Sequence, residues 1–136
     1  MSKTRISPTL RKIVVDRAQN CCEYCLMPNI FSLVAFEVDH VIAEKHGGET
    51  TVENLALSCA TCNQHKGSDI ASVDPETGEI VPLYHPRNQA WSQHFKVINA
   101  QIMPLTANAR VTIRLLRFND PERIAERALF LKAQED

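Results

Sequence analysis

The stretch VDHVIAEKHGGETTVENLALSCATCNQHKG, residues 38–67, decides how this chain folds. It closes on a Cys59-x2-Cys62 pair, and a matching Cys22-x2-Cys25 pair stands upstream with 33 residues between the two. Zinc favours four thiolates in a tetrahedron, and each CxxC knuckle offers two sulfurs from one side of the ion. The spacing therefore predicts a structural zinc site at Cys22, Cys25, Cys59 and Cys62. Two disulfides would be the alternative, but a reducing cytosol opposes them. A redox CxxC would sit in a thioredoxin-like βαβ pattern, which the flanking sequence does not show. Cys21, the fifth cysteine, would form a less usual knuckle and is assigned to burial. A four-cysteine site leaves no open coordination position, so chemistry must come from the residues between and beside the knuckles.

Those residues carry an Asp39-His40 pair, a Gly47-Gly48 loop and an Asn54-Leu55 pair. Directly after the second knuckle come Asn63, His65, Lys66 and Gly67. In this order the stretch resembles the HNH nuclease family, whose ββα-metal motif has a DH pair, a glycine loop, an NL pair and CxxCN/H-x-x-KG. The resemblance spans residues 22–67. It implies that Asp39 ligates a divalent ion, that His40 is the general base, and that Asn63 is the second protein ligand. It gives Asn54 an architectural role in pinning the loop that carries the base; an ordinary turn asparagine is the plainer reading. The implied activity is hydrolysis of DNA phosphodiester bonds, leaving 5′-phosphate and 3′-hydroxyl ends.

Elementary chemistry agrees with that set. Phosphodiester hydrolysis needs an activated water, neutralised phosphate charge and a stabilised leaving oxygen. An imidazole, with an ordinary pKa near 6.5, is a natural base at neutral pH. An Asp carboxylate and an Asn carbonyl form an oxygen shell suited to Mg²⁺, with softer ions such as Mn²⁺ or Ni²⁺ substituting if His65 reaches the site. His65 is a rival ligand, but on a helix it lies about 200° around from Asn63. It is assigned instead to a phosphate contact or to solvent. Lys66, three residues after Asn63, shares that helical face and is a candidate DNA-phosphate contact, with a solvated lysine as the alternative.

Outside the stretch the sequence predicts an α+β chain with an N-terminal helix and a C-terminal extension of a hairpin and helices. Ser7-Pro8 opens the first helix, with Leu10, Ile13, Val14 and Ala18 at helical spacing. Residues 31–38, FSLVAFEV, are rich in β-branched and aromatic types and read as a strand running into Asp39. DPETG between Ile70–Val73 and Glu79–Tyr84 predicts a hairpin. Thr106 caps a helix with Val111, Leu115 and Phe118 on one face, and Asp120-Pro121 opens another with Ile124, Ala128 and Leu131 inward. The expected organisation is a single domain over 1–136, with a nuclease core at 20–70 and residues 71–136 packed on it.

YHPRNQAWSQHF adds Arg87 as a candidate phosphate contact and Trp91 as a candidate base-stacking residue, against readings as core and surface filler. His85 and His94 are candidate ligands of a further metal. Arg110, Arg114 and Arg117 recur in a rhythm that would form a basic stripe on a helix, a candidate DNA footprint, with a solvated helix face as the equal alternative.

The charge balance opposes an extended nucleic-acid surface. Residues 1–70 hold seven basic and eight acidic groups, residues 71–136 eight of each, and the net charge is -1. A dedicated binder usually has a basic excess, so the expected partner, duplex DNA rather than single strands, would be gripped locally. No apolar run reaches the roughly 20 residues that span a bilayer, and the N-terminus lacks the features of a signal peptide, so a cytoplasmic location and no membrane partner are expected. The alternative function is a non-catalytic zinc ribbon that binds nucleic acid or protein.

Overall fold

A computed structural model describes residues 4–135 of the chain. Contacts group them into two compact units. One runs to Asp69 and includes His85–Asn88; the other holds Ile70–Tyr84 and the residues from Gln89 onward.

In the first unit the residues on either side of the glycine loop form strands β1 (Glu37–His40) and β2 (Leu55–Ser58). They pair antiparallel, with Val38 opposite Leu57, Asp39 opposite Ala56 and His40 opposite Leu55. Leu55 and Leu57 are buried along with Val38 and Phe36. Helix α2 (Ala60–Lys66) follows β2 directly. Its N-cap is Cys59, whose sulfur accepts a hydrogen bond from the Cys62 amide, and it stops at Gly67, where φ is +51°. The ββα order expected from residues 38–67 is therefore present.

Ahead of it, α1 (Pro8–Arg17) begins at Ser7, whose hydroxyl accepts from the Leu10 amide at 3.2 Å. This helix buries Val14 fully and clamps the strands with cations. Arg17 donates to the carbonyls of Val52 and Leu55 at 2.8 Å each, and Arg11 donates to that of Phe36 at 3.1 Å.

The strand expected over 31–38 begins only at Glu37. Asn29–Phe31 form a 3₁₀ turn, and Leu33 and Val34 are exposed. Two local causes are visible. The partner strand β2 has only four residues, all used opposite 37–40. The Ser32 hydroxyl bonds both the amide and the carbonyl of Val34, which satisfies the backbone without a ladder.

The second unit opens with the expected hairpin, β3 (Ala71–Val73) against β4 (Ile80–Pro82). Helix α3 (Trp91–His94) leads into a second hairpin, β5 (Phe95–Ile98) and β6 (Gln101–Pro104). Its turn residues Asn99 and Ala100 both have positive φ, the geometry of a tight two-residue turn. Helices α4 (Ala107–Leu115) and α5 (Pro121–Glu135) complete the unit, with Thr106 capping α4 as expected. Trp91 stacks on Phe95 at 4.9 Å between centroids, and Phe95 in turn meets Tyr84 and Phe118. Trp91 therefore belongs to an aromatic cluster.

Two helix faces differ from expectation. The basic stripe does not form. Arg110 makes a paired contact with Asp74 at 3.0 and 2.8 Å, and its guanidinium holds the Asp74 carboxyl well below the usual carboxylate range. Arg117 lies beyond the end of α4 at φ +54°. On α5 the buried residues are Arg123 and Arg127, whereas Ala128 is exposed. Carbonyls at a helix end and a hairpin turn lack ladder partners, and these arginines supply the donors. Arg123 reaches Leu116 and Arg127 reaches Ala100 and Phe118. No helix among the described residues is long and apolar enough to cross a membrane.

Candidate functional site

The two knuckles meet. Sulfurs of Cys22, Cys25, Cys59 and Cys62 all lie within 4.8 Å of one another, and all four residues are buried. With Zn–S bonds near 2.3 Å, a tetrahedron has sulfur–sulfur edges of about 3.8 Å. Cys25 and Cys59 stand 3.8 Å apart. Amides of Cys25 and Cys62 point at the sulfurs of Cys22 and Cys59, at 3.5 and 3.4 Å, as suits thiolates. Burial pushes the Cys22 and Cys62 thiols up, while a hydrogen bond from Cys22 holds Cys59 down. Buried thiols this close suit a cation that replaces their protons, so the donor set fits zinc. Cys21 is outside the cluster and half-buried, with its sulfur 3.4 Å from the Gln19 carbonyl.

The first knuckle carries a brace that its sequence did not announce. Glu23 accepts the Leu57 amide at 2.8 Å and also pairs with Arg87. Arg87 was expected to touch phosphate; its side chain is instead turned inward onto this carboxylate. A buried carboxylate needs a cation, and burial lowers the Arg87 guanidinium to about 10.

At the far end of β1, His40 is only 4% exposed. Its Nε2 lies 2.8 Å from the Thr50 hydroxyl and 4.0 Å from the Glu44 carboxylate. Its Nδ1 is buried with no hydrogen-bond partner. A buried polar atom left in this state is rare and calls for a missing partner. Asp39, next to it, is also buried.

Asn54 closes the loop between His40 and Thr50. Its amide donates to the carbonyls of Ile42 and Glu49 at 2.9 and 2.8 Å, and its carbonyl accepts the Ile42 amide at 2.9 Å. The pair of glycines has two separate causes. Gly47 sits at φ +93°, whereas a Cβ on Gly48 would fall 1.7 Å from the Ile42 carbonyl oxygen. Gly48→Ala should thus lower stability by about 3 kcal/mol, the upper range for overpacking. Gly47→Ala should cost about 1–2 kcal/mol through backbone strain alone. Thermal melts of both variants check the order, and an equal or smaller loss at Gly48 would contradict the close approach.

On α2, the Asn63 amide donates to Glu37 at 3.0 Å. Glu37 and Asp39 are two apart on a strand and so share a face; Asn63 thus lies on the Asp39 side of β1. His65 is half-buried on a different face of the helix. Lys66 differs from its expected place on the surface. It is 4% exposed and its ammonium donates to the Val41 carbonyl at 2.8 Å. The reason is register: Lys66 follows Cys62 by four residues, so both fall on the buried side of α2. His85 is half-buried in the first unit, where burial lowers its imidazole. In the second, the His94 Nδ1 meets the Thr106 hydroxyl at 2.7 Å. Among the described residues, the four cysteines are the one cluster of His, Cys, Asp and Glu side chains arranged to hold an ion.

A zinc-ready knuckle pair, a two-stranded sheet ending in Asp-His, and a helix carrying Asn63 now stand together in one span. Residues 22–69 match the HNH endonuclease family. The HNH span is about a third of the chain and contains both knuckles, β1, β2 and α2. No curated protein and no solved structure matches the chain. The HNH domain connects the protein with nuclease action on nucleic acid. Glu23, Glu37, Glu44 and Thr50 surround its central residues and were not singled out by sequence. Only their contacts reveal them.

Proposed function

We propose that the HNH domain is a metal-dependent endonuclease that hydrolyses phosphodiester bonds of duplex DNA. The observation that carries this reading is His40: a buried imidazole at a strand end, held at Nε2 and bare at Nδ1, beside Asp39. Nδ1 takes a proton from water, and the resulting hydroxide attacks phosphorus. The bond to the 3′ oxygen then breaks, leaving a 5′-phosphate, and the departing oxygen gains a proton to become a 3′-hydroxyl.

Asp39 and Asn63 are the residues that would hold a divalent ion, Mg²⁺ or Mn²⁺, on the shared face of β1 and α2. Such an ion supplies charge neutralisation at the phosphate and at the leaving oxygen. The Asn63 amide nitrogen is committed to Glu37, which leaves its carbonyl as the ligand atom. Asn54 acts indirectly, by fixing the loop around His40.

Purified protein should nick supercoiled plasmid in Mg²⁺ or Mn²⁺ and not in chelator. Asn63→Ala should raise the metal concentration for half-maximal nicking at least about 10-fold, the scale seen even for outer-shell partners of an ion. His65→Ala should leave that concentration unchanged. The reverse pattern would make His65 the ligand. Binding of DNA without cleavage in every divalent metal would replace the nuclease with a non-catalytic zinc-ribbon module.

A further inference from the structure

We infer that Thr50 is the positioning residue of His40, fixing both the orientation of its ring and the nitrogen that carries the proton. The inference rests on the nuclease reading above and adds to it a residue outside the DH, NL and CxxCN elements. A neutral imidazole has one donor and one acceptor nitrogen, and a threonine hydroxyl can serve either. The contact of 2.8 Å between Nε2 and Oγ1 therefore does not choose the tautomer by itself.

The surroundings choose it. The Glu44 carboxylate is 4.0 Å from Nε2 and favours a proton there. Glu44 is itself held, because the Thr4 amide and hydroxyl both donate to its two oxygens at 2.6 Å. Nδ1 is without a partner in either tautomer, but only as a lone pair could it take a proton from water, as the nuclease reading requires. The arrangement is thus Nε2–H donating to Thr50, with the Nδ1 lone pair bare.

Thr50 holds this place because its own loop is pinned. The Glu49 carbonyl accepts from Asn54, and Gly48 packs directly against Ile42. The spacing of the HGGET segment then sets the distance from hydroxyl to ring. Remove the hydroxyl, and the ring can turn about its Cβ–Cγ bond and exchange tautomers.

Thr50→Val keeps the shape and deletes the hydroxyl; Thr50→Ser keeps the hydroxyl. The valine variant is expected to lose about 10–100-fold in kcat, the range for partners that orient a working imidazole, with KM for plasmid DNA little changed. Serine should recover most of that loss. Nitrogen-15 NMR of the side chain provides a readout besides activity: His40 should show one Nε2–H tautomer in the parent, and a mixture in Thr50→Val. Thr50→Val cutting at the parent rate, beside an inactive His40→Ala, overturns the assignment of Thr50 and leaves the nuclease intact. A parent spectrum showing Nδ1–H also overturns it. Full activity in folded His40→Ala would sink the nuclease reading itself, and this inference with it.

Discussion

His40→Ala is expected to abolish plasmid nicking while the protein stays folded and keeps its zinc. Positioned general bases contribute about 10²–10⁴-fold to rate, so residual cutting should fall below what a plasmid assay detects in hours. Folding should survive because the tertiary frame near His40 does not hang on its ring. The loop is closed by Asn54, the strand by its pairing to β2, and the metal cluster lies among other residues. The ring's polar tie is a contact to one hydroxyl, and Nδ1 has none. Emptying a buried site still costs stability, so His40→Gln, closer in volume, serves as a companion variant. Zinc content by elemental analysis and the far-ultraviolet circular dichroism spectrum should match the parent for both. Parent-level cutting by either folded variant would remove His40 from the chemistry.

Loss of the metal should be larger in free energy and different in kind. Structural zinc in small domains contributes about 10–16 kcal/mol of apparent binding energy, as much as the whole stability of a typical domain, about 5–15 kcal/mol. The first unit offers little to replace it. Its strands have four residues each, and Cys22 and Cys62 have no exposure at all. Cys62→Ser should therefore unfold the knuckles and β1–β2 rather than weaken activity by degrees. Limited proteolysis should then cut between residues 22 and 69, sites protected in the parent. One zinc per parent chain and none in the variant completes the expectation. A Cys62→Ser protein with parental protease resistance would mean that the four sulfurs are not what holds this frame. The two variants separate the jobs within the HNH domain: one stops chemistry in an intact fold, the other removes the fold.

The sequence made some of this plain and hid the rest for identifiable reasons. Metal ligands obey spacing rules that survive in one dimension, so both knuckles could be read directly. The helix caps at Ser7 and Thr106 and the turn at DPETG are likewise local, and they stand where they were expected. What was hidden depends on distant partners. Whether residues 31–36 pair depends on the length of the distant strand β2, and not on their β-branched composition. Lys66 and Arg87 look like surface cations until the carbonyl of Val41 and the carboxylate of Glu23 appear beside them. Arg123 and Arg127 likewise answer to carbonyls contributed by turns that no periodicity reveals. Charged side chains spent on backbone oxygens are the recurring surprise of this chain. Thr50 was hidden for the same reason, a distant partner: nothing in a GGETT run distinguishes it until His40 is folded against it.

The Glu23–Arg87 pair has a practical outcome for anyone wishing to move this HNH domain elsewhere. Its two members lie 64 residues apart, and only one falls within the HNH span. A cassette excised at 22–69 would carry a carboxylate at the heart of its first knuckle with its counter-ion left behind, and would lose the Arg17 clamp as well. The portable piece is therefore longer than the recognisable one. It reaches back to Thr4, which holds Glu44, and forward past Arg87, and the β3–β4 hairpin it then includes still needs Arg110 of α4 for the buried Asp74. Grafts and chimaeras cut to the family's outline would discard the ion pair that braces its zinc knuckle.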